Sequence, residues 1–208
     1  MLLEHRGQRP RIDPSAYVAP TATVSGDVTI GPESRILFGA VLTAEGGPVE
    51  IGPQCIVMEN AVIRGSRQHP TRLGASVLVG PRAYLSGATL AEHVFVAAGA
   101  SVFNGARLEA RAEVRINGVV HIKTVLPPDA VVPIGWVAVG DPAEIFPPHE
   151  HDRIWAIQER LDFPGTVFGL ERAPAGRSIM PELSRRYGKA LGAHRGDRVL
   201  GHHTSSEL

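Results

Sequence analysis

Aromatic residues make up only 5% of this 208-residue chain, too few for a core packed with rings. Cysteine is scarcer still. Cys55 stands alone, which excludes an intrachain disulfide and a cysteine-rich metal centre. Neither sign of charge is in excess, since 21 Lys and Arg balance 21 Asp and Glu. The bulk attraction that draws a protein to nucleic acid or an anionic membrane is therefore missing. No apolar run approaches membrane-spanning length, and the stretch from Met1 to Arg11 lacks the apolar segment of a signal peptide. The expectation is a soluble cytoplasmic protein with neither nucleic acid nor membrane as partner. What is plentiful is glycine (23) and proline (17), the punctuation of a chain made of short strands and many turns.

Periodicity shows how those strands are arranged. Stepping by six from Ile12 gives Val18, Val24, Ile30, Ile36 and Leu42. A slip of three residues leads to Ile51, Val57 and Ile63, and a slip of four to Leu73, Val79 and Leu85. One residue is then dropped, and the pattern runs through Leu90, Val96, Val102, Leu108, Val114, Val120, Leu126 and Val132. All twenty positions are aliphatic. Two residues before most of them sits something small, as at Ala16, Ala22, Ser34, Ala40, Cys55, Ala61, Ala83, Ala100, Ala106 and Ala112. Neither the helical period of 3.6 nor the strand period of 2 produces six, whereas a triangular coil does. Each hexad forms one flat side, its aliphatic residue points to the axis, and the small residue fits the corner. Three hexads complete a turn, so the fold class is all-β, a parallel β-helix of about seven coils, roughly 34 Å long at about 4.8 Å per coil. A thin aliphatic stack also explains the shortage of aromatics.

The slips must leave the coil as loops, and loops on such scaffolds often build sites. Residues 44–48 (AEGGP) form one and residues 65–72 (GSRQHPTR) another. The β-helix is assigned to residues 10–146. From Glu150 the pattern becomes helical, with Ile154, Ile157 and Leu161 on one face, so residues 147–163 are read as a C-terminal α-helix packing on the β-helix. Residues 164–208 are read as an extended or partly disordered tail, with a short helix over residues 181–190.

Four segments carry a resemblance. They are Gly39-Ala40-Val41-Leu42, Ile56-Val57-Met58-Glu59-Asn60, Val79-Gly80-Pro81 through Leu85-Ser86-Gly87, and the closing Val139-Gly140-Asp141-Pro142-Ala143. Together they resemble the gamma-class carbonic anhydrases and their relatives over about three-quarters of the chain. That resemblance, and not the spacing, implies a left-handed coil and a homotrimer. It also implies three histidines on one zinc, which acidifies a bound water. Carried over one by one, those ligand positions hold Arg64, Pro81 and Ser86. Arginine does not deprotonate, proline has no side-chain donor and serine is a poor ligand. The supporting positions hold Thr43, Glu45, Met58 and Glu59. The expectation is a trimer without the usual zinc site, without a cofactor and without a metal.

Three functions fit the sequence. One is an intersubunit cleft that binds a small anionic or carboxylated ligand through Arg64, Ser86, Glu59 and Glu45, with scaffold duty or metal-independent chemistry as variants. In the plainer version Arg64 only bridges to Glu59 or Glu45 of a neighbouring subunit. The second is coenzyme A-dependent acyl transfer, with His69 as general base; the closing Gly-Asp-Pro-Ala motif is shared with hexapeptide acyltransferases. The third is a carbonic anhydrase with relocated ligands drawn from His69, His93 and His121. Catalytic candidates are therefore Arg64, Ser86, Glu59 and His69. Cys55, at a small-residue corner, is read as packed and not reactive.

Overall fold

A computed structural model describes residues 1–174 and 176–203. The hexads stack as a parallel β-solenoid with three faces. One face is a ten-stranded sheet, and each of the others has seven strands. Two strands of the large sheet, Glu144–Phe146 and Arg198–Gly201, are antiparallel additions at its ends, which leaves eight parallel rungs there. The solenoid thus has about eight turns, one more than the hexad count gave. The rungs of the large face outside the period-six positions are Leu2–Glu4, which pairs in parallel with Thr23–Ser25 through Leu2 opposite Val24, and Val137–Val139, which pairs with Val119–Val120.

Register explains the core. On the large face Val24, Leu42, Ile63, Leu85, Val102 and Val120 stand directly above one another. The second face stacks Ile12, Ile30, Ile51, Leu73, Leu90, Leu108 and Leu126. The third stacks Val18, Ile36, Val57, Val79, Val96, Val114 and Val132. Nineteen of the twenty period-six residues are buried, and Ile12 is half-buried. Each contributes about 1.5–3 kcal/mol by leaving water. The corners obey a second rule. A left-handed backbone recurs every six residues, as at Gly87, His93, Gly99, Gly105, Arg111, Asn117, Lys123, Asp129 and Gly135. At Gly99 a Cβ would sit 2.3 Å from Asn117 Oδ1, so any other residue there displaces the Asn117 side chain. The small residues before each aliphatic are wholly enclosed; Ser34, one of them, donates to the Gly52 carbonyl at 2.8 Å and accepts from Cys55 N–H at 3.1 Å.

Both ends of the stack are covered. At the C-terminal end α1 (His151–Gln158) lays Ile154 on Val139 and Phe146, with Ile157 and Leu161 beside it. The N-terminal rung is closed by Arg198–Gly201. Beyond residue 163 the chain differs from an extended tail. It carries α2 (Phe163–Phe168), α3 (Met180–Leu191) and the closing strand. The reason is that α2 and α3 find an aromatic patch to cover, and the last strand finds an open sheet edge. Among the described residues no helix is long and apolar enough to cross a membrane.

Candidate functional site

Every excursion leaves the solenoid at the same edge. The chain departs after Val41–Ala44 and rejoins at Val49–Ile51, and departs after Val62–Gly65 and rejoins at Thr71–Leu73. Each time it crosses from the large face to the second face. The N-terminal rung does the same between Leu2–Glu4 and Arg11–Ile12. The excursions pack backbone against backbone. A Cβ on Gly47 would lie 2.0 Å from the Ser66 carbonyl oxygen, and one on Gly65 would lie 2.2 Å from that of Gly47. Only glycine allows that approach. Ser66 and His69 exchange backbone hydrogen bonds at 2.9 and 3.1 Å and close the tip of the third excursion. Fully buried Thr71 ties its base, donating to the Arg64 carbonyl and accepting from Gly87 N–H at 2.9 Å.

This edge holds a cavity of about 400 Å³. Tyr84, Phe103, Phe163, Val167, Phe168 and Tyr187 make its apolar wall. The rings meet edge to face, with Phe163–Phe168 centroids 5.8 Å apart and Phe168–Tyr187 centroids 6.4 Å apart. Hence α2 and α3 roof a floor that the solenoid provides. The polar groups of the floor are Glu45, Arg64, Ser86, Ser66, Arg67 and Asn104. Arg64 and Ser86 are cross-strand neighbours in register, so their side chains share one face. Arg64 Nη2 donates to Tyr187 Oη at 3.1 Å and lies 3.9 Å from Glu45 Oε1. Burial works against the Arg64 charge, but Tyr187, Tyr84 and Glu45 outweigh it, and its pKa stands above the ordinary arginine value. Asn104, itself buried, donates to Ser66 Oγ at 3.1 Å.

Arg64, Ser86 and Glu45 thus come together, and two other candidates do not join them. Glu59 lies at the corner between Ile56–Val57 and Val62–Gly65, on the turn before the strand that carries Arg64, whereas the cavity opens at that strand's far end. His69 packs behind the floor. A Cβ on Gly87 would lie 2.6 Å from the His69 Cβ, and one on Gly105 would lie 3.4 Å from its Cε1. Burial and then the charge of Lys123 push its pKa down. His93 occupies a left-handed corner. His121, half-buried 6.3 Å from the Phe163 ring, borders a separate small pocket with Trp155 and Arg172. These three histidines do not converge. The Arg64–Glu45 pair lies within one chain and needs no neighbouring subunit. Of the positions matched to zinc ligands, Pro81 lies outside the cavity, and Arg64 and Ser86 within it offer a cation and a neutral hydroxyl. That donor set does not fit a zinc ion.

Sequence reasoning missed His5, His194, Asp197 and Tyr187. For the N-terminal rung a signal existed. Leu2 precedes Ile12 by ten residues, the same step as Ile63 to Leu73, so a strand followed by an excursion was written there too. For the others there was no local signal, because Arg64 and Tyr187 are 123 residues apart.

No family model matches the sequence. Gamma carbonic anhydrase 1 of Arabidopsis thaliana mitochondria is 32% identical over 140 residues, 64% of this chain and 49% of that protein. A carbonic anhydrase of Geobacillus kaustophilus is 28% identical over 108 residues, 52% of this chain and 59% of that protein. The chain is similar to the gamma carbonic anhydrases over about two-thirds of its length. It spans about half the length of these relatives. A hexapeptide transferase family protein from Anaplasma phagocytophilum shares the fold, with a TM-score of 0.52 at 22% identity, covering 94% of this chain and 97% of that one.

Proposed function

We propose that this gamma carbonic anhydrase-like chain is a left-handed, trimeric β-helix that lacks the usual zinc site and binds a small organic carboxylate with an apolar body. The observation that carries the reading is Arg64 beside Ser86 on the floor of an aromatic-walled cavity. A guanidinium offers five donors in a planar fork that matches a carboxylate, and Arg64 commits one hydrogen bond to Tyr187. Glu45, the acidic group of the floor, is drawn away by Thr43 Oγ1 and His194 Nε2, each at 3.1 Å. Arg67 adds a second cation and makes no ion pair among the described residues. The cavity volume suits a small molecule, and a mostly apolar wall with a few convergent polar groups is the usual form of such a site.

The test is calorimetric titration of the trimer, its size fixed by light scattering, with aromatic and branched aliphatic carboxylates against their neutral amides. Binding of acids but not amides, abolished by Arg64→Ala with the trimer intact, supports the reading. Dissociation of the trimer in Arg64→Ala would reduce the arginine to a structural bridge. Turnover of acetyl-CoA would favour acyl transfer, and CO2 hydration would restore the carbonic anhydrase reading. A trimer that binds none of these is a scaffold.

A further inference from the structure

A second cluster lies on the other side of Glu45. His5 follows the first strand and is buried, 2% exposed. Its Nδ1 lies 2.6 Å from Asp197 Oδ1. His194 Nδ1 lies 2.8 Å from the other oxygen, Oδ2, of the same carboxylate. An ionised carboxylate only accepts, so Asp197 holds a proton on Nδ1 of both imidazoles; in the metal-free chain His194 Nε2 carries a second proton toward Glu45, which a bound ion displaces. The rings stack with centroids 4.5 Å apart and planes 28° from parallel. Glu45 stands beside this stacked pair. There His194 Nε2 meets Glu45 Oε1 at 3.1 Å, and His5 Nε2 is buried with no hydrogen-bond partner.

A histidine–carboxylate network explains His194. It does not explain His5, whose buried Nε2 has no hydrogen-bond partner among the described residues; such an orphan costs about 1–3 kcal/mol. We propose that His5 Nε2, His194 Nε2 and a Glu45 oxygen form a binding site for a zinc-type divalent ion, with Asp197 as the positioning residue for both histidines. One ligand atom from each of the three lies within 4.8 Å of the others. Ligands about 2.0–2.2 Å from a tetrahedral zinc stand about 3–3.5 Å apart, so the cluster must contract slightly. His194, 37% exposed on its 3-10 turn, has the room to move. Two neutral nitrogens and one carboxylate are a set that keeps a fourth position open. A carboxylate behind each ligating histidine is the outer-shell arrangement that orients imidazole and raises its basicity. Arg64 approaches Glu45 only to 3.9 Å, a loose pair that a metal ion on the carboxylate could replace. A cleft of about 240 Å³ lined by His5, Arg6, Gln8 and Asp27 opens beside His5.

The site is independent of the carboxylate cavity although Glu45 borders both. The experiment loads the full chain, stripped with chelator and dialysed, with Zn²⁺, and reads stoichiometry by elemental analysis, affinity by calorimetry and geometry by the visible bands of the Co²⁺ form. About one ion per chain is expected, with tetrahedral cobalt bands and no competition from Mg²⁺, which prefers all-oxygen sites. His194→Ala should weaken zinc at least about 100-fold, and Asp197→Asn about 10–100-fold. His194 sits at the surface, so its variant folds, and circular dichroism checks this. His5→Gln, at a buried position, is the confirming variant. Arg64→Ala should keep zinc while losing the carboxylate, and His5→Gln should lose zinc while keeping the carboxylate. The proposal is overturned if the wild type takes up no zinc at tens of micromolar, if uptake survives His194→Ala, or if changing His202 and His203 to Ala removes the ion instead.

Discussion

Two glycine corners of the same backbone class separate conformational strain from steric contact. Gly87 has φ +59° and Gly135 has φ +69°, both left-handed. Alanine at either pays the left-handed penalty, about 1–2 kcal/mol. Their surroundings differ. Nothing lies within 4 Å of a Cβ at Gly135, whereas one at Gly87 would stand 2.6 Å from His69 Cβ, 2.9 Å from Asn104 Nδ2 and 3.0 Å from the His69 carbonyl oxygen. The nearest of these atoms belong to an excursion pinned by Ser66 and Thr71, so they cannot swing aside as a free side chain would. Overpacking of that kind adds about 1–3 kcal/mol. Gly135→Ala should therefore cost about 1–2 kcal/mol and Gly87→Ala about 2–5 kcal/mol. In a domain of this size the difference lowers Tm by roughly 2–10 °C beyond Gly135→Ala. The assay is calorimetric Tm with urea midpoints at unchanged slope for the two variants. Gly87→Ala should also weaken carboxylate binding, because Ser66 and Arg67 ride on the displaced loop. Equal destabilisation by the two alanines would refute the packing of the third excursion against Gly87.

Three further outcomes follow from the same contacts. Burial holds the His121 pKa below its ordinary value near 6.5, so the unfolded chain takes up that proton first. Stability is then lost as pH falls from about 6.5 toward the folded value, and His121→Leu lacks that loss. Urea midpoints at pH 7.5 and 5.5 should show the variant gaining on the wild type at the lower pH; parallel pH curves would contradict the assignment. Cys55 is fully buried, its thiol pushed up by burial and donating to the Gly74 carbonyl at 3.0 Å. A thiol reagent should label it only as fast as the protein unfolds, and rapid labelling of the folded protein would place it outside the stack. Leu85, 0% exposed between Ile63 and Val102, should cost about 2–5 kcal/mol as alanine, and a loss under 1 kcal/mol would mean that column is not the core.

What was legible in the chain follows from how a solenoid is encoded. Each rung repeats the environment of the last, so a single period of six fixed which residues such as Leu42, Ile63 and Leu85 point inward, and the breaks in that period marked the excursions at 44–48 and 65–72. The site is legible only in part. Arg64, Ser86 and Glu45 were visible because register ties them to the repeat. Glu59 was misplaced because the corner between two faces turns it away from the end of the strand that carries Arg64. The roof of the cavity was hidden for another reason. α3 buries no residue completely, so its pattern resembles that of any solvated helix. Its Tyr187 acquires meaning only when the solenoid presents Arg64 to it. His5 and Asp197 lie 192 residues apart, and no local rule connects them.

That long-range closure makes one more claim on the molecule. A parallel stack has two terminal rungs, each with a row of unpaired backbone groups able to template another strand. Here the first rung, Leu2–Glu4, is covered by Arg198–Gly201 through pairs that include Leu3 with Val199 and Glu4 with Arg198. The same segment delivers His194 and Asp197 to His5. Covering the edge and building the histidine cluster are therefore one structural act, and they should fail together. A chain stopped after Leu191 keeps every period-six residue and α1, so the solenoid should still form, with its far-ultraviolet β signal retained. The bare edge should drive concentration-dependent association beyond that of the full chain, read by light scattering across a dilution series, and zinc uptake should fall to background. A truncated chain with the size distribution of the full one at every concentration would show that the terminal strand does not protect the edge. Retained zinc in that chain would show that His194 and Asp197 do not hold it.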